Sequence, residues 1–389
     1  MTALSDVRIL DLSRLLPGAF CTLMLADLGA DVIKVEDTDS GDYLRWIPPL
    51  VDGSAAMFHA LNRNKRSVAL NLKSDAGRSA FLDLVAAADV VLESFRPGVM
   101  ARLGLDYAAL SGRNPRVVLC SISGYGQDGP YRDRAGHDLN YAALSGALSI
   151  QGESNGVPAM PALQVGDVGA GALHAAVAIL AALHQREQSG RGQHCDIAML
   201  DGLVAWMAPH AAAFFATGEV PRANTLLLTG RYPCYRTYRC ADGAVSVGAL
   251  EPKFWSALVE ALGVPHLSEL AYAEGEEGAR VAEAVQAALM QRTRAEVAQL
   301  GGAADLCCEP VLSVAEVFDN AQVRHRGLRL DTGGVSPVPQ IASPIRLSDS
   351  PATVRSGAPA WGADTRDLLG EAGYDRERLE ELSAEGAIR

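Results

Sequence analysis

The chain opens as short, continuous apolar runs separated by stretches with helical periodicity. Residues 7–12, 31–36, 67–72, 90–93 and 117–122 read as strands. Their apolar residues cluster rather than alternate, which is the pattern of strands buried on both faces of a sheet. Pro17-Gly18 opens a helix predicted to run to Leu28 and stop at Gly29, with proline just inside the start and glycine just past the end. A second helix is predicted over 75–87. Strands alternating with helices imply a parallel sheet covered on both faces. The fold class is therefore α/β, with a large open parallel-sheet, Rossmann-like domain and a smaller α+β domain.

Further along, the apolar run 168–183 carries His174 and falls short of the ~20 residues that span a bilayer. It reads as a buried helix with no membrane insertion. A loop at Ser189-Gly190-Arg191-Gly192 ends it, and one helix over 198–217 leads out of the domain. Segments 235–239 and 244–249 flank Ala241-Asp242-Gly243, a hairpin signal. Helices follow at 251–262 and 276–290, then a Pro- and Ser-rich connection over 335–351, then helices at 364–373 and 376–384. These patterns place a large α/β domain at 1–195, a linker helix at 196–224 and a small α+β domain at 225–325. Residues 326–389 return to complete the large domain.

The formal charge of −12 argues against a nucleic-acid partner or an anionic membrane, since either needs a basic field. The seven cysteines are odd in number and scattered, with no C-x-x-C. Neither a disulfide framework nor a zinc site is expected, and reduced thiols suit a cytoplasmic protein. The first residues lack a basic and apolar leader pattern. Gly124-Tyr125-Gly126-Gln127-Asp128-Gly129 matches a dinucleotide fingerprint, but Pro130-Tyr131-Arg132-Asp133-Arg134 makes a poor helix start. The match also follows the fifth strand rather than the first, so the loop is read as a wall of the active site.

Two polar islands carry the candidate chemistry: Ala135 to Tyr141, with His137, Asp138 and Asn140, and Val165 to Gly169, with Asp167. A histidine and a carboxylate on opposite sides of a substrate can take a proton from one face of a carbon and return one to the other. Asp138 and Tyr141 can orient and tune the imidazole. Asp167 immediately precedes the predicted apolar helix, where an N-cap is expected, and the positive end of that helix could also stabilise an enolate oxygen. Glu251 stands at a strand-to-helix junction, again an N-cap position. Basic residues near strand ends (Arg63, Lys65, Arg66, Lys73 and Arg96) favour an anionic ligand at the carboxyl edge of the sheet.

The segments Leu28 to Glu36, Asn71-Leu72-Lys73, Phe95-Arg96-Pro97-Gly98, Gly124 to Pro130 and the tail from Leu368 to Ile388 together resemble the class III CoA-transferase family. The likeness covers essentially the whole chain. Within the family it is greatest to the racemases of 2-methylacyl-CoA thioesters, through the intact Gly-His-Asp-x-Asn-Tyr motif at Gly136 to Tyr141 and the Val-Gly-x-x-Glu-Pro context of Glu251. In the transferases the aspartate matching Asp167 is a nucleophile that forms an acyl anhydride and then an aspartyl-CoA thioester.

The resemblance implies an acyl-CoA substrate bound in the large domain, with Asn71, Leu72, Lys73 and Arg96 contacting coenzyme A and no separate cofactor or metal. It implies racemisation through an enolate by His137 and Asp167, with Glu251 orienting or charge-balancing His137. It also implies an interlocked homodimer in which Glu251 acts on the partner's site. At Asp37 related racemases can carry an arginine that helps bind CoA. An aspartate cannot, so those contacts are expected to pass to Arg45, Arg63 or Lys65.

Overall fold

The computed structural model describes residues 2–154 and 156–389, and the chain forms two compact units. The first contains the residues up to Ser145 together with Ala162–Trp206 and Gln322–Arg389; the second contains Gly146–Pro161 and Met207–Ala321.

Six strands build the sheet of the first unit: β1 (Arg8–Asp11), β2 (Asp31–Glu36), β3 (Lys65–Ala69), β4 (Val90–Glu93), β5 (Val118–Ser123) and β6 (His194–Ala198). All pairings are parallel, in the order β6-β5-β4-β1-β2-β3. Ile9 pairs with Val32 on one side and Val90 on the other. The chain moves outward from β1 in one direction through β3, then restarts beside β1 with β4 and moves the other way. This reversal opens a crevice at the carboxyl ends of β1 and β4, the place where open α/β sheets bind ligands.

Helices α1 (Leu16–Asp27), α2 (Asp75–Val85) and α3 (Tyr107–Arg113) lie in the crossovers. Buried residues surround α1, so it carries no polar face. Ser74 caps α2 by accepting from the Gly77 N–H at 3.0 Å. The main core joins Leu10, Ile33, Val68, Phe81 and Leu84 to Leu368, Leu369, Leu379 and Leu382 from the C-terminal helices Thr365–Glu371 and Arg376–Ala384. Beyond them Ile388 forms an antiparallel bridge with Leu70, and the Asn71 N–H donates to Ala387 O at 2.9 Å. The tail thus covers the end of edge strand β3.

Three segments depart from expectation. Strand β3 starts at Lys65 and ends at Ala69 instead of spanning 67–72. Lys65 can enter the sheet because its Nζ donates to Asn62 Oδ1 at 2.9 Å and Ala19 O at 3.1 Å. The apolar run after Asp167 is not one α-helix. Its start, Val165–Leu173, is π-helical, and α5 (His174–Ser189) continues it. Finally, the helix expected over 198–217 is two: α6 (Met199–Trp206), preceded by β6, and Ala208–Thr217. Pro209 opens the second, because proline lacks the N–H that would continue the first and its ring clashes with the preceding turn.

In the second unit the hairpin Tyr235–Cys240 and Gly243–Gly248 is joined by antiparallel Cys308–Pro310. Helices Pro252–Ala261, Gly275–Leu289 and Arg294–Ala303 accompany it around a core that includes Trp255, Val285 and Leu289.

Candidate active site

The crevice at the sheet reversal deepens into a cavity of about 260 Å³ walled by Arg14, Ser94 to Pro97, Ile122 to Tyr125, His137, Tyr141, Asp167 and Met199. His137 reaches it from a loop fixed by its own neighbours. The residue sits at the N-cap of α4 (Asp138–Leu144), where its N–H donates to Asn140 Oδ1 at 2.9 Å and its carbonyl accepts the Asn140 N–H at 2.8 Å. Tyr141 donates its hydroxyl to Gly136 O at 2.6 Å, and its ring packs edge-on to Tyr125 with centroids 5.2 Å apart. A Cβ on Gly136 would lie 2.7 Å from Tyr141 Cε1, and one on Gly124 would lie 2.5 Å from the same atom. Both glycines are therefore required by close approach rather than by a turn. Gly136, Asn140 and Tyr141 of the Gly-His-Asp-x-Asn-Tyr motif thus help hold the loop that presents His137.

Asp167 lies in the first turn of the π-helical segment, not at its cap; the N-cap position falls on Gln164. The coil begins before Asp167, so its carboxyl does not serve the helix end. Its N–H donates to Asp138 Oδ1 at 2.9 Å, tying the second polar island to the first. The wider π turn is packed through glycines: Gly169 lies against the Trp206 ring, and a Cβ on Gly171 would lie 3.1 Å from Met199 and 3.3 Å from Pro17. Such turns interrupt α-helices at functional sites. Burial, and then the negative charge of Asp138, push the Asp167 carboxyl up to about 6, while His137 pulls the other way. Tyr141 is likewise pushed up to about 12, first by burial and then by Asp167, so it remains a hydrogen-bond donor.

The structure brings Arg96 into this wall beside His137 and Asp167. Asn71, Leu72 and Lys73 are not among the lining residues. Asn71 Oδ1 accepts the Lys73 N–H at 3.1 Å, Leu72 packs on the core, and Lys73 is exposed. The cations expected to replace an arginine at position 37 are committed elsewhere. Arg45 makes a bidentate pair with Glu36 at 2.7 and 2.6 Å, and Arg63 makes one with Asp27 at 3.0 and 2.6 Å. Lys65 is buried beside Asp11 at 3.4 Å. All three are sealed in the interior, because an unpaired buried carboxylate would be far costlier than the pair.

Sequence reasoning missed Arg14, Arg132 and Arg134, which do face the cavity. Arg14 lies over the rings of Tyr43 and Phe95, donates to Tyr43 Oη at 2.7 Å and pairs with Asp37 at 3.2 Å. Asp37 is in turn held by the N–H groups of Asp39, Ser40 and Gly41, which keep its carboxyl below the usual range. It therefore acts on the site by fixing an arginine. The Tyr131-Arg132-Asp133-Arg134 run after the glycine loop was the available signal.

Glu251 belongs to the second unit. Its side chain makes no capping bond there; the backbone carbonyl alone accepts the Phe254 and Trp255 N–H groups, at 3.0 and 3.1 Å. The carboxylate is thus exposed and free of the capping role its position suggests.

This arrangement can hold an anionic substrate among arginines and exchange protons at a carbon between an imidazole and a carboxyl. Comparison with known proteins gives relatives of two kinds, CoA-transferases and racemases of acyl-CoA. The chain is 35% identical over 398 residues to a succinyl-CoA:mesaconate CoA-transferase of Haloarcula marismortui, covering 96% of this chain and 98% of that one. It is 33% identical over 394 residues to an alpha-methylacyl-CoA racemase of Homo sapiens, covering 99% and 97%. Among solved structures, a CAIB/BAIF family protein from Brucella suis matches with a TM-score of 0.84 at 33% identity, covering 95% of this chain and 99% of that chain. The model of CoA-transferase family III matches residues 4–365, and the chain belongs to that family.

Proposed function

We propose that the protein racemises 2-methylacyl-CoA thioesters. The observation that carries this reading is that His137 and Asp167 line one cavity, with the Asp167 carboxyl raised to about 6. A carboxyl titrating near 6 populates both protonation states close to neutral pH, as a group that alternately donates and accepts requires. The thioester acidifies the α-hydrogen. Neutral His137 takes that proton, the electron pair of the broken C–H bond moves into the thioester as an enolate, and Asp167-COOH delivers its proton to the opposite face. The reverse direction exchanges the two roles. Arg14, Arg96, Arg132 and Arg134 supply positive charge for the CoA phosphates, and coenzyme A enters as part of the substrate. Glu251 orients His137 from the small unit of a partner chain in a homodimer.

Transfer of CoA between carboxylic acids, with Asp167 as nucleophile, is the second reading. It is favoured by the relatives named as CoA-transferases, including a succinate–glutarate CoA-transferase of Agrobacterium fabrum at 35% identity. One enantiomer of a 2-methylacyl-CoA incubated in deuterated water separates the two. Racemisation requires α-deuterium uptake together with loss of optical purity. A bound substrate without uptake, with CoA exchanged onto a free acid, would replace this reading with transfer.

A further inference from the structure

Downstream of Asp167, the π-helical segment Val165–Leu173 gives way to α5, whose first residue is His174. Its Nδ1 lies 2.8 Å from Ala170 O. A carbonyl can only accept, so Nδ1 carries the ring hydrogen and donates it. The half-buried imidazole thus reaches back along the coil and occupies a carbonyl at the place where the wide turns end. An i→i+5 turn holds one residue more than an α turn, and a side chain inserted into the hydrogen-bond ladder is a known cause of such irregularity. Helix α6 completes the junction. A Cβ on Gly202 would lie 2.6 Å from His174 Nδ1 and 2.7 Å from Ala170 Cβ, so the two segments approach closely there. Trp206, one turn further along α6, stands against the His174 ring with centroids 6.2 Å apart, and its indole also lies against Gly169. One indole therefore grips both the end of the π segment and the turn that carries Asp167.

We propose that His174 is a positioning residue for Asp167: its Nδ1–H bond to Ala170 O locks the π register that turns the Asp167 carboxyl into the catalytic cavity. An α-helix rotates by about 100° per residue. If the bond is lost and the wide turns tighten by one residue, Asp167 swings by about that angle around the axis, out of the wall it shares with His137. His174 is not among the residues lining the cavity, so it acts through the coil and not on the substrate. The groups that face Asp167 stay in place: His137, Asp138 and Tyr141 belong to α4 and its cap, and the arginines of the wall to other segments. A carboxyl turned away from burial and from Asp138 loses the two influences that raise it. The inference rests on Asp167 acting in the reaction, as it does in racemisation and transfer alike.

The test compares His174→Leu, which keeps the bulk and removes the donor, with His174→Asn, whose amide returns an N–H near the place of Nδ1. Full-length protein labelled with carbon-13 at the aspartate carboxyls is titrated without substrate and followed by NMR. The Asp167 signal is the one missing from Asp167→Asn. Its midpoint should fall by at least about one pH unit in His174→Leu, a tenfold change in the protonated fraction, and return toward the parent value in His174→Asn. In parallel, kcat should fall at least about tenfold in His174→Leu, since a displacement of ~1 Å can cost about a hundredfold. KM for a CoA thioester should stay nearly unchanged, because the arginines of the wall do not move. Gly202→Ala, which crowds Nδ1 from α6, should move the midpoint in the same direction and serves where His174→Leu does not fold. An unmoved midpoint in His174→Leu, with only the melting temperature lowered, overturns the proposal, because packing alone would then account for the residue. An equal drop in His174→Leu and His174→Asn overturns it too, by assigning the effect to the ring rather than its N–H. The titration needs no substrate, so its outcome is separate from the deuterium-uptake result that chooses between racemisation and transfer.

Discussion

The Asp167 N–H donates to Asp138 Oδ1 at 2.9 Å, so the residue that anchors the Asp167 backbone also raises the pKa of its side chain. Asp138→Asn separates the two effects. The amide oxygen preserves the hydrogen bond while the charge disappears. With that raising influence gone, the Asp167 carboxyl moves down toward its ordinary value, and the protonated fraction at pH 7 drops about tenfold per unit. The limb of the pH–rate profile assigned to Asp167 should shift to lower pH. An unshifted limb would mean that Asp138 acts only as an anchor.

Asp167→Asn bears on stability. The folded-state carboxyl, at about 6 against the ordinary 3.8, binds more protons than the unfolded chain between those values. Stability therefore falls as pH rises through that window and stays lower above it. Removing the charge should abolish racemisation and raise stability at pH 7.5 by roughly 1–2 kcal/mol, discounted for the partial exposure of the group. A melting temperature below that of the parent would contradict the burial argument.

Arginines in this chain divide by their partners. Arg45→Ala strands the buried Glu36 carboxylate and should cost ~3–5 kcal/mol, seen as a lower denaturation midpoint. Arg96→Ala strands no such partner among the described residues. It should leave the midpoint nearly unchanged and raise KM for a CoA thioester several-fold. Swapped outcomes would reverse the assignment of structural and ligand-binding cations.

Gly169→Ala places a methyl group in the Trp206 ring. Overpacking of this kind costs roughly 1–3 kcal/mol, and the π turn that carries Asp167 must move to relieve it. Denaturant titration and kcat should fall together. Gly112, where a Cβ meets nothing within 4 Å, provides a control for the substitution itself.

A mixture of subunits tests the proposal that the protein is a homodimer whose sites are shared between chains. His137→Ala and Glu251→Ala homodimers should each be nearly inactive. Unfolded together and refolded, they should regain activity, because one site of the mixed dimer then combines an intact His137 with an intact partner Glu251. No recovery in a verified mixed dimer would place the pair within one chain.

The parallel sheet was legible because five of its strands are continuous apolar runs; 31–36 and 90–93 match their observed limits. Strand β6 was not, since His194-Cys195-Asp196-Ile197-Ala198 pairs with β5 through its backbone while carrying a polar sequence. His137 and Asp167 stood out as polar groups among small residues. That they share a cavity depends on the hydrogen bond between Asp138 and Asp167 and on the Trp206 contact, both of which join residues far apart in sequence. The arginines were the hardest to read: charge alone does not distinguish Arg45, buried over Phe58 with its guanidinium carbon 3.9 Å from the ring centroid, from Arg96 on the cavity wall.

The bridge between Leu70 and Ile388 also bears on how the chain is made. Edge strand β3 and the helices packed on it are completed only by residues that leave the ribosome after the whole second unit. During synthesis the nascent sheet therefore waits with that edge uncovered while the whole second unit is translated, and its β3 flank is then the place where a chaperone or a misfolded neighbour can pair.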